Sequence, residues 1–518
     1  MAQTVIQTPY ATAMPFVVNM LSSYTDEYDA QRLASYDLYD DLYNNDPSTY
    51  RMMLRGTDEK PIYIPTAKRI INTLARYVGK GWGYSVSSTM GTSSEQEEAK
   101  LALSNLFKRE RLLSLFAAGK KEWLRRGDWI WFITGDLLKE EGKRISVRCI
   151  DPRMYFPIPD ATDLSRIAGA ELIEETVVNG DVLALKVQRY LKANHPEHPS
   201  FGLPVTDTTF IYYDVAVYEL DGYSVIENRK MIQQTTPLTE LVGITAMPVY
   251  HIRNNESTDD PFGRSDLSGL ETIVAGVNQA VSDEDLSLAM SGLGMYWTDS
   301  GAPVNETTGQ PENWKLGPNR VVEVGQGNKF NRVDGINTVQ PFQDHIKYLE
   351  DNAFGTSGIS DVAMGTADGS VVVSGIALAI RMQPLFDEVD SKDANINSAM
   401  TQMFYDLKQW FDVYEGLNFG EVEIISTISK GERLPFDRVA RWTELLEGYT
   451  AGLFSLDYVQ SVLVDEFGYE FPAGMLASTQ EDQQRKAALA DPYAARVSQE
   501  LATGTAPVDG AVVDPNAA

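Results

Sequence analysis

The side chains best suited to chemistry in this chain are few. Four histidines, His195, His198, His251 and His345, are the whole supply of imidazole for general-base or zinc work. His195 and His198 flank Pro196-Glu197 in NHPEHPS, a spacing two metal ligands can use. No third ligand is local, and the proline-rich context reads as an exposed loop rather than a zinc site, which normally wants four ligands. His251 lies in the apolar run VYHIR and His345 on a helical stretch, where packing or surface roles outweigh catalysis. Cys149, the single cysteine, sits in RISVRCI, whose alternation predicts a strand and a small inert thiol; no disulfide framework is available.

Acidic pairs and runs such as Asp40/Asp41 and Asp283/Glu284/Asp285 imitate a metal or glycosidase site. Consecutive residues on a helix point in different directions, so solvated faces are the better account. A phosphate cradle needs glycines that open a helix, followed by Lys and Ser or Thr, and neither GQGNKF nor GTADGS supplies that order. The stretch Gly263 to Gly269, GRSDLSG, is the nearest thing to a nucleophile elbow, but Ser265 fits a helix cap better. The basic cluster Lys120, Lys121, Arg125 and Arg126 reads as a solvated face or an ion-pairing surface. Asn255-Glu256-Ser257 and Asn305-Glu306-Thr307 match glycosylation sequons, which matter only in a secreted chain. These readings favour a chain with no catalytic residues, no metal and no cofactor.

The elements that carry these residues fall into blocks. With 518 residues, 43% of them hydrophobic and 23% charged, the chain should fold as several domains of mixed α+β class. Lys and Arg number 44 against 73 Asp and Glu, giving a formal charge of −29, a surface that repels phosphate backbones and argues against tight DNA binding. The N-terminus lacks the basic start of a signal peptide, and no apolar run approaches the ~20 residues of a membrane span, so a cytoplasmic chain with no membrane partner is expected.

Tyr28, Leu33, Tyr36, Tyr39 and Tyr43 predict a helix with an aromatic packing stripe, and TAKRIINTLARYVGKGWG a second helix ended by glycines. One charged helical stretch runs from Ser94 to Arg126, closed by the Gly127-Asp128 turn. Strands follow in WIWFITGD and RISVRCID, with further strands near 171–190, 208–218 and 222–233. After Pro261-Phe262-Gly263 a long helix is expected over 264–291, capped by Ser265, with Asp266 favouring its dipole and Leu267, Leu270, Val274 and Val277 on its apolar face. Residues 292–337 hold glycines, prolines and short strand-like pieces at MYW and RVVEV, a small β lobe. Asn337 or Thr338 then caps a second helix, 338–356, with Phe342, Ile346 and Leu349 on its stripe. A glycine-bearing loop, 357–373, precedes a helix from Ser374 to about Phe411, kinked at Pro384, and a returning strand in VEIISTISKG. Residues 437–490 are helical in pattern with a break at Gly468 to Gly474; 491–518 read as a flexible tail.

In this order the segments resemble the portal proteins of tailed bacteriophages. The Gly127-Asp128 turn, IDPRMYFPIPD, MPVYHIRNN leading into PFGRSDLSGLETIVAGVNQAVSD, and SGIALAIRMQPL carry the likeness, over roughly residues 24–430. The resemblance implies a portal fold. Residues 1–263 and the strand in 374–436 would form a wing, 264–291 and 338–356 an α-helical stem, 292–337 an α/β clip, 357–373 a tunnel loop, and 437–490 a helical crown. It implies a homo-oligomeric ring, commonly dodecameric, at the capsid vertex of a virion, assembled in host cytoplasm. Partners implied are the major capsid and scaffolding proteins, the large terminase subunit, the head–tail adaptor and double-stranded DNA passing non-specifically.

By the same resemblance Ser360, Asp361, Thr366, Asp368, Ser370, Val371, Val372 and Val373 would face the channel, with Lys329 and Arg332 as candidates for a ring of charge. Met295, Tyr296, Trp297 and Trp314 would join neighbouring clips. An acidic tube suits DNA that must slide, because each phosphate neutralised adds roughly 0.9 to the salt slope of binding. Two other readings stay open: another phage structural subunit, from capsid or baseplate, and a carboxylate-based hydrolase with the β lobe as a lid.

Overall fold

The computed structural model describes residues 27–53, 60–88, 93–160, 166–178, 182–206, 209–219, 231–257, 260–293, 295–304, 307–311, 327–333, 339–365, 375–429 and 438–465. The chain divides into two units, Met1–Ser429 and Lys430–Ala518.

In the first unit, helix α1 (Glu27–Asn44) lays Leu33 and Tyr36 on a five-stranded antiparallel sheet, where they meet Phe156, Ile173 and Val187. That sheet runs in sequence order through β4 (Tyr155–Pro159), β5 (Ile167–Val178), β6 (Val182–Leu191), β7 (Tyr212–Glu219) and β8 (Met231–Glu240). Of the strand expected near 222–233, residues 222–230 lie outside the described residues; a strand runs over Met231–Glu240, and it contains Pro237. A proline survives there because β8 is an edge strand whose pairing to β7 is already irregular.

Helix α2 (Thr66–Tyr77) buries Ile70, Ile71 and Leu74. Strand β1 (Gly83–Ser88) follows it. The single helix expected from Ser94 to Arg126 is two, α3 (Ser93–Arg109) and α4 (Leu112–Arg126), parted at Arg111, whose φ of 53° no helix accepts. Gly127 closes α4 in the left-handed conformation, φ 103°, donating to Trp123 O, and turns the chain into β2 (Asp128–Gly135). Strand β2 lies between β3 (Ile145–Ile150) and β9 (Val249–Arg253), buried over most of its length. Its Trp129 and Trp131 join Trp82, Phe107, Phe116 and Phe404 in an aromatic core, with Trp82 stacked on Phe116 at 4.3 Å.

Beyond β9 come α5 (Glu271–Leu293), the pair β10 (Met295–Thr298) and β11 (Phe330–Val333), then α6 (Gln340–Thr356) and the one-turn α7 (Asp361–Met364). Helix α8 (Gly375–Trp410) runs 36 residues with Pro384 inside it, ends in a π-turn (Phe411–Glu415), and leads to β12 (Val422–Thr427), which pairs with β1. Pro384 has no N–H for Ile380 O, which leaves a gap in the ladder on an exposed face. The second unit shows α9 (Arg438–Thr450) and α10 (Leu456–Asp465) joined by a tight turn in which Phe454 packs on Gly448.

Candidate channel-forming site

The loop from Asn254 to Leu270 joins the body to α5, and three sets of polar contacts hold it. Asp128, at the head of β2, is one anchor. Its Oδ1 accepts from His251 Nε2 at 2.6 Å and from Gly263 N at 2.7 Å, and its Oδ2 from the Tyr36 hydroxyl at 2.5 Å. Burial, reinforced by the Asp128 charge, pushes the Tyr36 hydroxyl well above its ordinary value, so it remains a donor. The backbone supplies the second set: Asn254 N donates to Gly127 O, Arg264 N to Asn254 O and Asp266 N to Leu124 O.

Lys392 on α8 is the third anchor. Its ammonium reaches Asn254 Oδ1 at 2.6 Å, Asp266 Oδ1 at 2.8 Å, Glu388 Oε1 at 2.9 Å and Asn255 Oδ1 at 3.0 Å. The Lys392 and Asp266 side chains are only 3% and 7% exposed, so this is a buried ion pair with most of its hydrogen-bonding capacity filled. Asp266 therefore serves the ammonium rather than the helix dipole. Ser265 is likewise not the cap of α5. Its hydroxyl accepts from Leu267 N inside a turn, and the helix starts six residues later at Glu271.

Leu267, Leu270, Val274 and Val277 are all buried at this base. The α5 side chains that follow hold a length of extended chain: Asn278 Oδ1 accepts from Ile64 N at 2.7 Å and Ser282 Oγ from Ile62 N at 2.9 Å. Farther along, α5 and α6 run antiparallel, since Gly276 lies against Leu349 while Glu284 accepts from Gln343 Nε2. Phe342, Ile346 and Leu349 are half-buried along that seam, and α6 turns His345, Lys347 and Tyr348 outward, the last 63% exposed. Arg69 of α2 pairs with Glu350 at 2.9 Å and ties α6 back to the body. Asn337 and Thr338, the expected caps, lie outside the described residues; Val339 occupies the cap position.

At the far end of the helix pair, β10 and β11 form a short antiparallel ladder. Met295 and Tyr296 pair in register with Val333 and Arg332; Trp297 opposes Asn331 and is 45% exposed. Lys329 is exposed, and its backbone N–H donates to Asp299. Trp314 and the RVVEV segment lie outside the described residues.

After α6 the described part of the loop, residues 357–365, holds the one-turn helix α7. The Ser360 hydroxyl caps α7, accepting from Ala363 N at 3.2 Å, and contacts Met382 Sδ. Asp361 faces Arg381 of α8 at 3.7 Å. Thr366, Asp368, Ser370, Val371, Val372 and Val373 lie outside the described residues. Two of the eight loop residues are thus placed: one is a cap, and the other stands by a cation that the sequence reading had not paired with it.

NHPEHPS is a turn-rich loop with Pro196, Glu197 and Pro199 exposed, as expected, and His198 is the residue in it that departs from that reading. It is buried, with Nδ1 accepting from Ser200 N and Nε2–H donating to Phe210 O. Among the described residues no three His, Cys, Asp or Glu side chains gather as metal ligands, and no helix is long and apolar enough to cross a membrane. Cys149 accepts from Trp129 Nε1, and burial pushes its thiol up to about 12.

Sequence reasoning missed Lys392 and the Asp128–His251 pair. The signal for Lys392 was a lysine three residues after Val389 and four before Ile396, inside the buried stripe of α8.

No family model matches the chain, and no curated protein matches it. Among solved structures it is similar to a chain in the virion of a native gene transfer agent particle, at 12% identity and TM-score 0.40, over 76% of this chain and 87% of that one. It is similar to chains of two particle necks as well. For the native neck computed with C12 symmetry the values are 11% and 0.39, over 79% and 96%. For the empty-particle neck computed with C6 symmetry they are 12% and 0.42, over 76% and 88%. The function proposed below rests on the chain's own geometry, not on likenesses this distant.

Proposed function

We propose that this chain is the ring-forming subunit of a phage portal, without catalytic activity, whose axial channel passes double-stranded DNA at a capsid vertex. The observation that carries the reading is the antiparallel pair α5 and α6, anchored at its base to the body and bearing the β10–β11 ladder at its far end. The aromatic side chains this unit leaves in solvent, Tyr348 on α6 and Trp297 on β10, are apolar surface that neighbouring copies would cover. The succession of that pair, the turn through α7 and the 36-residue α8 is the order in which a portal builds stem, clip, tunnel loop and wing.

On this reading the packaging terminase and the head–tail adaptor meet the β10–β11 end in turn, and capsid and scaffolding proteins meet the body. Lys329 and Arg332 contribute a ring of positive charge near the bore, within a subunit whose net charge of −29 keeps DNA from adhering along the wall. Size-exclusion chromatography with light scattering, followed by particle images, tests the proposal. Twelve copies of 57.5 kDa give a species near 690 kDa with an axial hole. A compact monomer at every salt and protein concentration refutes it.

A further inference from the structure

The pairing of β1 with β12 determines where the free edge of β1 points. Ser426 N donates away from β1, to Thr401 Oγ1, and Val422 O accepts from Lys408 Nζ, again away from β1. In an antiparallel ladder, directly opposed residues either bond each other or both point outward. Ser426 opposes Tyr84, Ile424 opposes Val86 and Val422 opposes Ser88, so the outward main-chain groups of β1 belong to Tyr84, Val86 and Ser88. On the β12 side, α8 side chains cover the edge. The β1 side opens on a groove of about 610 Å³ between β1 and α3, lined by Tyr84, Ser85, Val86, Glu97, Lys100, Leu101 and Ser104.

Outward N–H and C=O groups two residues apart, beside an open groove, present the hydrogen-bonding pattern that another strand completes. The lining narrows what that strand is. Leu101 is 64% exposed, an apolar wall without a neighbour to cover it among the described residues. Glu97 and Lys100 pair with each other at 3.1 Å, leaving no net charge to attract a charged peptide. The N-terminal stretch of the chain matches that character over the greatest length. Residues 1–25 hold no Asp, Glu, Lys or Arg, the longest uncharged run in a sequence that is 23% charged, and Thr4-Val5-Ile6 is β-branched ahead of Pro9.

We propose that the free edge of β1 is a strand-addition site, occupied by residues 3–8 of a neighbouring copy of this chain. The inference rests on the ring reading above, because a second copy must stand alongside. In a closed ring every groove and every N-terminal segment finds a partner, so a head-to-tail exchange leaves none over. The first turns of α1 lie against the five-stranded sheet, with Arg32 bonded to Pro152 O, whereas the groove belongs to β1 and α3.

Disulfide mapping on the full-length assembled protein tests this. Single cysteines at Thr4, Val5, Ile6 and Gln7 are each combined with Ser85→Cys in a Cys149→Ala background, because Cys149 is half-buried and its thiol, though raised, is not sealed from solvent. The expected result is cross-linking between copies that alternates along the four positions, the period of a strand. Val86→Pro removes an outward N–H while leaving the β12 ladder intact, and should abolish cross-linking. Leu101→Glu, at an exposed site, should slow it by about tenfold through the buried charge. Assembled particles with no cross-link, with cross-links inside one chain, or with cross-links indifferent to both substitutions overturn the inference and leave the ring standing. A chain that stays monomeric removes both.

Discussion

Replacing Lys392 with methionine keeps the length of the side chain and deletes its charge. The four oxygens around the ammonium then lose their shared donor, and they are not equally affected. Glu388 is 40% exposed and turns to water, while Asn254 and Asn255 are neutral. Asp266 is different: it is buried, its Oδ2 has no partner, and without Lys392 its Oδ1 retains only Asn255 Nδ2 at 2.8 Å. Leaving one member of a buried pair uncompensated costs about 3–5 kcal/mol. Because the pair clamps the loop that launches α5, that loss should show first as local opening there. Hydrogen exchange at Leu267, Leu270 and Val274 should accelerate by about a hundred- to a thousandfold, at about 1.4 kcal/mol per decade. The double variant Lys392→Met/Asp266→Asn removes the stranded charge and should recover more than half of the protection. Exchange within threefold of the parent in Lys392→Met, or a double variant no better than the single one, refutes the clamp.

Gly263→Ala sets a methyl against backbone on every side, with Gly127 O closest and Asn254 N at 2.5 Å, so the loop cannot close on Asp128. A loss of more than about 2 kcal/mol in chemical denaturation, with poor assembly, is expected. Asp41→Asn should act in the opposite direction. Burial, helped by Asp46, Asp37 and Asp40, raises the Asp41 carboxyl to about 6, and its Oδ2 has no hydrogen bond. A carboxyl raised on folding is protonated in the native state where the unfolded chain is ionised, so stability falls as pH rises from about 4 through 6. The amide should therefore stabilise by about 1–3 kcal/mol at pH 7.5 and by little at pH 4, read as the pH dependence of the difference in midpoints. A difference that is flat with pH refutes that assignment.

Periodicity carried the reading of the long helices, because α2, α6 and α8 each repeat apolar residues at threes and fours over several turns. It failed where one residue decides. The stripe through Leu106, Leu112 and Phe116 continues across Arg111, so nothing in the pattern marks a left-handed break between α3 and α4. Strand β1 was missed because GYSVSS alternates small polar residues with only Tyr84 and Val86, too few apolar side chains to register, and because its pairing with β12 bridges more than 330 residues. Ser265 misled for a related reason. A serine ahead of an apolar run satisfies a turn as well as a helix, and only the docking of Asp266 on Lys392 separates the two.

The polar anchors at the base of α5 also explain why apolar packing alone would not serve there. Asp128, the loop that carries Asn254 and Gly263, and Lys392 come from three segments more than 100 residues apart, and the loop they hold sets the direction in which α5 leaves the body. Aliphatic contacts tolerate small rotations with little change in buried area, whereas an ammonium among four oxygens, or a carboxylate shared by His251, Gly263 and Tyr36, accepts one geometry. In a ring the same tilt is repeated at every subunit, so a small error in one joint prevents closure. On the ring reading charge burial here buys registry rather than net stability, which is why Lys392→Met with Asp266→Leu should fold as firmly as the parent yet assemble into particles of mixed copy number.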